Sequence, residues 1–164
     1  MTIAMYQNYE PPVRSDLIEA QKNCWDRLSQ PGCWLEGSRR VEVAKEVRNA
    51  RKCAFCAEQK NAVSPNAIKG SHTGLGVFND NEVEMIHRIV SDPGRLSKKW
   101  YEGKISGGLR EEEYIEITAA IAMVMVVDTF SCALGVEDHS LPEPQSGKPS
   151  FYCSPGAKTN AAWI

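Results

Sequence analysis

The feature that most constrains the fold is an uncharged stretch, residues 117–127, bounded by Glu116 and Asp128. Most of its residues are Ile, Ala, Met and Val, so a helix there is apolar around its whole circumference rather than along one stripe. A membrane span requires about 20 such residues, so this shorter run predicts a buried helix and no membrane partner. Such a helix lies at the centre of a bundle or in a subunit interface.

The remaining sequence favours further helices, separated by Gly and Pro punctuation. Apolar residues recur at helical spacing, and Ser, Asn or Asp precede several of the runs as capping candidates. Residues 69–78, which carry three glycines, are predicted to be a loop. The predicted helices begin near Ser15, Ser38, Cys53, Asn79, Leu96 and Arg110. The last and longest should end near Leu134, with Gly135 as its C-cap.

These patterns predict an all-α fold with one helical domain, residues 15–135. We expect residues 1–14 to form an extended N-terminal arm, since they hold two prolines and no periodic pattern. Residues 136–164 contain four prolines and no periodicity, which predicts an irregular C-terminal tail that wraps the domain.

Charge and cysteine usage narrow the class of protein. Lys and Arg number 19 against 21 Asp and Glu, so the chain lacks the basic field that nucleic-acid binding requires, and no nucleic-acid partner is expected. The first 25 residues show no basic start followed by an apolar stretch, which predicts a cytoplasmic protein without a secretory signal. In a reducing cytoplasm the six cysteines do not predict a disulfide framework.

The main chemical clue is a CxxC pair, Cys53-Ala54-Phe55-Cys56. The thiolate is the reactive form of cysteine, and the start of a helix favours it, as do the preceding Arg51 and Lys52. A second thiol one turn later is placed to close a disulfide with its oxidised neighbour. We therefore predict a redox-active pair at Cys53 and Cys56. The spacing leaves open which sulfur attacks, because exposure decides it.

The same pair has two other interpretations, buried structural thiols or half of a zinc site. Zinc needs two further ligands, and Cys24, Cys33 and His72 offer no second close pair in the sequence. We therefore expect neither a metal nor a cofactor. His72, in the glycine-containing loop, is expected to be solvated, with contact to substrate as the alternative.

Three segments together resemble the alkylhydroperoxidase D-like and carboxymuconolactone decarboxylase-like family. They are the helix of residues 39–50, the pair Cys53 and Cys56, and Glu113-Tyr114-Ile115-Glu116-Ile117 at the start of the long helix. The resemblance covers residues 38–135 and implies a helical bundle that assembles as a homo-oligomer, a trimer or a hexamer. Its peroxidase branch implies reduction of hydroperoxides through the CxxC pair, recycled by an external dithiol. The decarboxylase branch lacks that pair.

The proton relay of the peroxidase branch is absent at its usual positions, which Val41, Phe55 and Lys60 occupy here. Other residues near the pair in sequence, or on neighbouring helices, are therefore candidates to move protons. His87 is among them because histidine titrates near neutral pH. The candidate catalytic residues besides the two cysteines are Glu42, Glu46, Lys60, His87 and Asp128.

Two of these candidates also have structural interpretations. His87 is explained more simply as a hydrogen-bonded histidine at a helix edge. Asp128 is the only charge in a long apolar segment and needs a partner, for which we expect His87, Arg88 or a residue of another subunit. His139, in the predicted tail, is expected to be solvated.

The function favoured by these residues is a CxxC-dependent oxidoreductase that reduces hydroperoxides or exchanges thiols and disulfides. Two alternatives remain open. One is a non-enzymatic oligomeric scaffold or binding module on the same fold. The other is a different acid–base enzyme that uses Glu46, Lys60, His87 and Asp128, with the cysteines incidental.

Overall fold

The computed structural model describes residues 5–6, 9–10 and 12–152, and all regular structure within them is helical. The prediction of an all-α fold is therefore confirmed. Short 3-10 turns at Pro65–Ala67 and Pro93–Arg95 join some of the helices. The helices are α1 (Ser15–Ser29), α2 (Gly37–Ala50), α3 (Ala54–Asn61), α4 (Asp80–Ser91), α5 (Lys98–Ser106) and α6 (Glu111–Ala133).

Local chemistry explains where the central helices begin and end. The Asn79 side chain accepts from the backbone N–H of Glu82, and the Glu82 carboxylate accepts from the N–H of Asn79, so α4 starts with a capping box. Gly135 follows α6 with a φ of +69°, in the left-handed region that glycine enters without strain. The C-cap residue is Leu134, so the glycine predicted as the cap lies one position beyond it.

Helices α2, α4 and α6 enclose the main core. Helix α2 packs against α1, α4 and α6, and α4 also packs against α6. Side chains at the centre of this contact, including Val43, Ile86 and Val124, are completely buried. Helix α3 lies at one edge, against α4. This arrangement brings the start of α3, the last turns of α2 and the middle of α4 together.

Helix α6 is long and apolar enough to cross a membrane by length and composition, with a mean hydropathy of 1.7 over 18 residues. Core helices meet the same criterion, and α6 buries Ile117, Val124 and neighbouring residues against α2 and α4. Its opposite side leaves Ile115 and Val126 more than half exposed. One side of α6 thus lies in the core of the bundle, as the sequence predicts. Its place in a subunit interface stays a prediction.

The described parts of the N-terminal and C-terminal segments lie against α1 and α6. Tyr6 donates its hydroxyl proton to Gln21 across 2.6 Å, and Trp25 Nε1 donates to the Ser140 carbonyl at 2.8 Å. The Phe151 N–H donates to Cys33 O at 2.8 Å. Of the predicted arm, residues 1–4, 7–8 and 11 lie outside the described residues, as do residues 153–164 of the tail. The three-part domain division remains a prediction.

Candidate functional site

The two thiols of the CxxC pair lie at the start of α3. Cys53 is the N-cap residue of that helix, and Cys56 is in its first turn. Cys53 is half-buried, whereas Cys56 is only 3% exposed. A cavity of about 260 Å³ opens beside them, lined by Arg51, Lys60, Val90 and both cysteines among others. Cys53 is therefore the more accessible of the two thiols.

Two histidines close around the sulfur atoms. His72 Nδ1 lies 3.6 Å from Cys53 Sγ and 3.3 Å from Cys56 Sγ, so one ring nitrogen serves both thiols. His87 Nδ1 lies 3.3 Å from Cys56 Sγ on the other side. The two imidazole rings are 4.6 Å apart between centroids. The four side chains form one compact cluster, which we call the Cys2His2 cluster.

A glutamate backs each histidine. His72 Nε2 lies 2.7 Å from Glu84 Oε2, and His87 Nε2 lies 2.8 Å from Glu46 Oε1. An ionised carboxylate only accepts hydrogen bonds, so each Nε2 carries a proton and donates it. Each Nδ1 is thereby turned towards the sulfur atoms. Both rings are thus held in one orientation.

The loop between α3 and α4 carries His72, and side chains of α2 bind the backbone of this loop. Asn49 Nδ2 donates to the Thr73 carbonyl at 2.7 Å. The Leu75 N–H donates to Glu46 Oε2 at 3.0 Å. Glu46 therefore has two tasks, since one oxygen orients His87 and the other anchors the loop that carries His72.

Both thiols lose their protons more easily than ordinary cysteines. Burial on its own raises the pKa of Cys53, but hydrogen bonds from the Cys56 N–H, the His72 ring and the Thr73 N–H outweigh it and bring the pKa to about 6. Burial likewise opposes ionisation of Cys56, yet His72 and His87 lower its pKa below 9.0. The thiolate form of Cys53 is thus present at neutral pH.

The pKa values of the two histidines are raised, and that of Glu46 is lowered. Burial lowers the pKa of His72, but its bonds to Cys56, Glu84 and Cys53 raise the pKa to about 10. The pKa of His87 is also raised, because bonds to Cys56 and Glu46 outweigh burial. Burial raises the pKa of Glu46, and the Leu75 N–H, Asn49 and His87 reverse that shift and lower it. All of these pKa shifts favour the charged forms of the thiols, the imidazole rings and the carboxylates.

The structure brings two of the candidate relay residues to the thiols, Glu46 and His87. Glu42 instead bonds Lys45 on the outer side of α2, at 2.6 Å. Lys60 is exposed and lines the cavity beside the cysteines. Glu42 thus lies outside the site, while Lys60 lies at its entrance.

The prediction that His87 or Arg88 binds Asp128 is wrong, whereas a contact with another subunit stays a prediction. Its carboxylate is bound by Arg48 at 2.8 and 3.0 Å and by Arg51 at 2.8 Å. Arg48 lies in the last turn of α2 and Arg51 is its C-cap residue, so the two side chains lie about one turn apart and both reach Asp128. Arg48 also donates to the His139 carbonyl, and His139 is half-buried against Tyr6 rather than solvated.

The expectation that His72 is solvated is wrong. Its side chain is 4% exposed and packs edge-on against Phe55, with centroids 4.9 Å apart. Sequence reasoning also missed Glu84 and Asn49. Glu84 lies one turn before His87 on the same face of α4. This spacing was the sequence signal that could have identified Glu84.

The chain was compared with protein-family models, with curated proteins and with solved structures, and nothing matches. What the Cys2His2 cluster does is therefore inferred from its own chemistry.

Proposed function

We propose that the protein is a CxxC-dependent oxidoreductase that reduces hydroperoxides and is recycled by an external dithiol. One observation carries the proposal. Both thiols lie within reach of the His72 Nδ1 atom, and that ring is fixed from behind by Glu84. A nucleophile next to a base, with the base oriented by a third group, is the arrangement that activates side chains for attack.

Cys53 is the attacking residue in this proposal, since it is the more accessible thiol and has a pKa of about 6. Its thiolate attacks one peroxide oxygen, so that an S–O bond forms and the O–O bond breaks. The leaving alkoxide takes a proton from His72 Nδ1 and departs as an alcohol. Cys53 is then a sulfenic acid, and the peroxide has been reduced.

Cys56 resolves the sulfenic acid. Its thiolate attacks Cys53 Sγ and forms the disulfide, and the hydroxyl group leaves as water with a proton from His87 Nδ1, 3.3 Å from Cys56 Sγ. An external dithiol then reduces the disulfide by thiol–disulfide exchange and becomes a disulfide itself. The same exchange lets the protein act on disulfides in place of peroxides.

The alternative acid–base enzyme has less support from the geometry. Glu46 and His87 are in contact, but both side chains are completely buried, and the free face of the His87 ring is directed at Cys56. The Asp128 carboxylate is bound by two arginines. The resemblance to the alkylhydroperoxidase D-like family and assembly as a trimer or hexamer remain predictions.

Consumption of cumene hydroperoxide in the presence of dithiothreitol tests the proposal, with chelator-treated protein. Cys53→Ser and Cys56→Ser should each abolish turnover. His72→Asn should lower the rate roughly 10²–10⁴-fold, because the proton donor is lost. Cys33→Ser is the matched control, since Cys33 is exposed and outside the cluster, and it should leave the rate unchanged. Full turnover in both cysteine variants of the pair would disprove the function.

A further inference from the structure

We propose that the Cys2His2 cluster of the reduced protein is a binding site for a single Zn²⁺ ion, with Cys53 Sγ, Cys56 Sγ, His72 Nδ1 and His87 Nδ1 as ligands. All four ligand atoms lie within 4.8 Å of one another. They come from α3, the following loop and α4, so the fold assembles the second pair of ligands that the sequence spacing does not show.

The distances fit tetrahedral zinc. With Zn–S near 2.3 Å and Zn–N near 2.0–2.1 Å, the edges of a tetrahedron of two sulfurs and two nitrogens are roughly 3.4–3.8 Å. The three sulfur–nitrogen distances observed are 3.3, 3.3 and 3.6 Å. All four ligand atoms lie within 4.8 Å of one another, so an ion is held at the centre once the longest separation shortens by up to about 1 Å.

The groups behind the histidines make an independent second observation. A zinc-bound histidine almost always donates its other ring N–H to a carboxylate, which fixes the ring and makes it a stronger ligand. Here Glu84 accepts from His72 Nε2 and Glu46 accepts from His87 Nε2. Both Nδ1 atoms are directed at the cysteines, and their lone pairs become available to a metal once the protons on them are released.

The ligand set also selects the type of ion. Two thiolates and two imidazoles favour Zn²⁺ over the hard cations Mg²⁺ and Ca²⁺, which prefer oxygen ligands. On binding, the ion replaces the protons held between the Nδ1 atoms and the sulfurs, and these protons pass to the solvent. No electrons are transferred in this step. Four protein ligands complete the tetrahedron.

Zinc binding and the Cys53–Cys56 disulfide exclude each other, because both use the same sulfur atoms. The metal would keep the thiols reduced and unreactive until it is removed. This consequence extends the proposed function to its regulation, whereas the metal site itself rests only on the geometry of the cluster.

The experiment uses the reduced chain of residues 1–164, freed of metal by a chelator. Co²⁺ is the spectroscopic probe, since a tetrahedral site with thiolates gives intense visible bands and a near-ultraviolet sulfur-to-cobalt charge-transfer band. Zn²⁺ is then titrated in competition with a chromophoric chelator. We expect one ion per chain, tetrahedral cobalt bands, displacement of cobalt by zinc, and protection of Cys53 and Cys56 from alkylation.

Variants distinguish the zinc ligands from the glutamate that orients one of them. Cys53→Ser and His72→Asn should lose the tetrahedral cobalt spectrum, and their helix content is checked by circular dichroism. Glu84→Gln should retain the spectrum and weaken zinc binding roughly 10–100-fold. Glu42→Gln is its control, because the Glu42 side chain is 29% exposed, close to the 26% of Glu84, and lies away from the cluster. It should bind zinc as the wild type does.

The absence of saturable binding at one ion per chain would overturn the zinc site, as would wild-type cobalt spectra in both the Cys53→Ser and the His72→Asn variants. Neither measurement contains peroxide. If the chain binds zinc but does not consume peroxide, the metal site stands and the proposed function is wrong. If it consumes peroxide but does not bind zinc, the proposed function stands and the metal site is wrong.

Discussion

At the scale of single residues, His72 is the side chain on which the account depends most. It touches both thiols through one nitrogen and is held by Glu84 through the other. Its position shows why sequence reasoning could identify the cysteines but not their full environment. The CxxC spacing places two thiols on one helical turn, whereas the contact of His72 with them depends on the course of a loop between two helices.

The first residue-scale prediction concerns pH. The pKa of Cys53 is lowered to about 6, so its thiolate persists at neutral pH and is lost only as the pH falls through that value. The rate of Cys53 alkylation in metal-free protein should therefore rise with a midpoint near pH 6, and His72→Asn should move this midpoint towards the ordinary 9.0. Peptide mapping by mass spectrometry after timed alkylation measures both. A wild-type midpoint near 9.0 would contradict the arrangement.

The second residue-scale prediction concerns Glu46, whose side chain is completely buried between His87 and the Leu75 N–H. Glu46→Gln removes one partner of a buried charge pair and should lower the free energy of unfolding by about 3–5 kcal/mol. Glu42→Gln, on the same helix but in a surface pair with Lys45, should cost less than about 1 kcal/mol. Urea denaturation compares them. Equal losses would show that Glu46 has no special role.

At the scale of elements, the helices could be predicted closely because their signals are local. The Asn79 cap, the Pro93-Gly94 stop and Gly135 lie next to the boundaries they determine. The loop between α3 and α4 could not be predicted in the same way. Its path is set by side chains of α2, since Asn49 and Glu46 bind backbone groups of Thr73 and Leu75.

A glycine in this loop gives the element-scale prediction. A Cβ atom at Gly74 would lie 2.8 Å from Val83 Cγ2, and Val83 is buried, so Gly74→Ala should displace the loop. We expect a loss of roughly 1–3 kcal/mol in the free energy of unfolding, together with slower alkylation of Cys53 at pH 7 as His72 moves away.

Gly94→Ala is the matched control for this substitution, because a Cβ atom there meets no heavy atom within 4 Å. Denaturation curves and alkylation rates of the two variants test whether the loop depends on close packing at Gly74. If both behave like the wild type, the loop does not depend on its close packing against α4.

At the scale of the whole molecule, a second charge network joins α2, α6 and the C-terminal segment. Asp128 binds Arg48 and Arg51, and Arg51 also binds Asp138. The sequence showed that Asp128 needs a partner, but the partner depends on how α2 crosses α6. Periodicity determines which residues a helix buries and leaves its crossing partners open.

The whole-molecule prediction is that this network stabilises the fold and takes no part in the chemistry. Asp128→Asn should lower the free energy of unfolding by about 2–4 kcal/mol, because its side chain is 3% exposed and two arginines lose their partner. Asp138→Asn, at the surface, should cost less than about 1 kcal/mol. The peroxide reaction of both variants should proceed at the wild-type rate, measured below the unfolding transition. A selective loss of that reaction in Asp128→Asn would give Asp128 a catalytic role.

The most direct test of the redox dithiol is a count of free thiols under denaturing conditions, before and after one equivalent of cumene hydroperoxide, on reduced, metal-free protein. The account predicts the loss of two thiols and a disulfide that peptide mapping assigns to Cys53 and Cys56. An unchanged count, with both thiols intact, would contradict it.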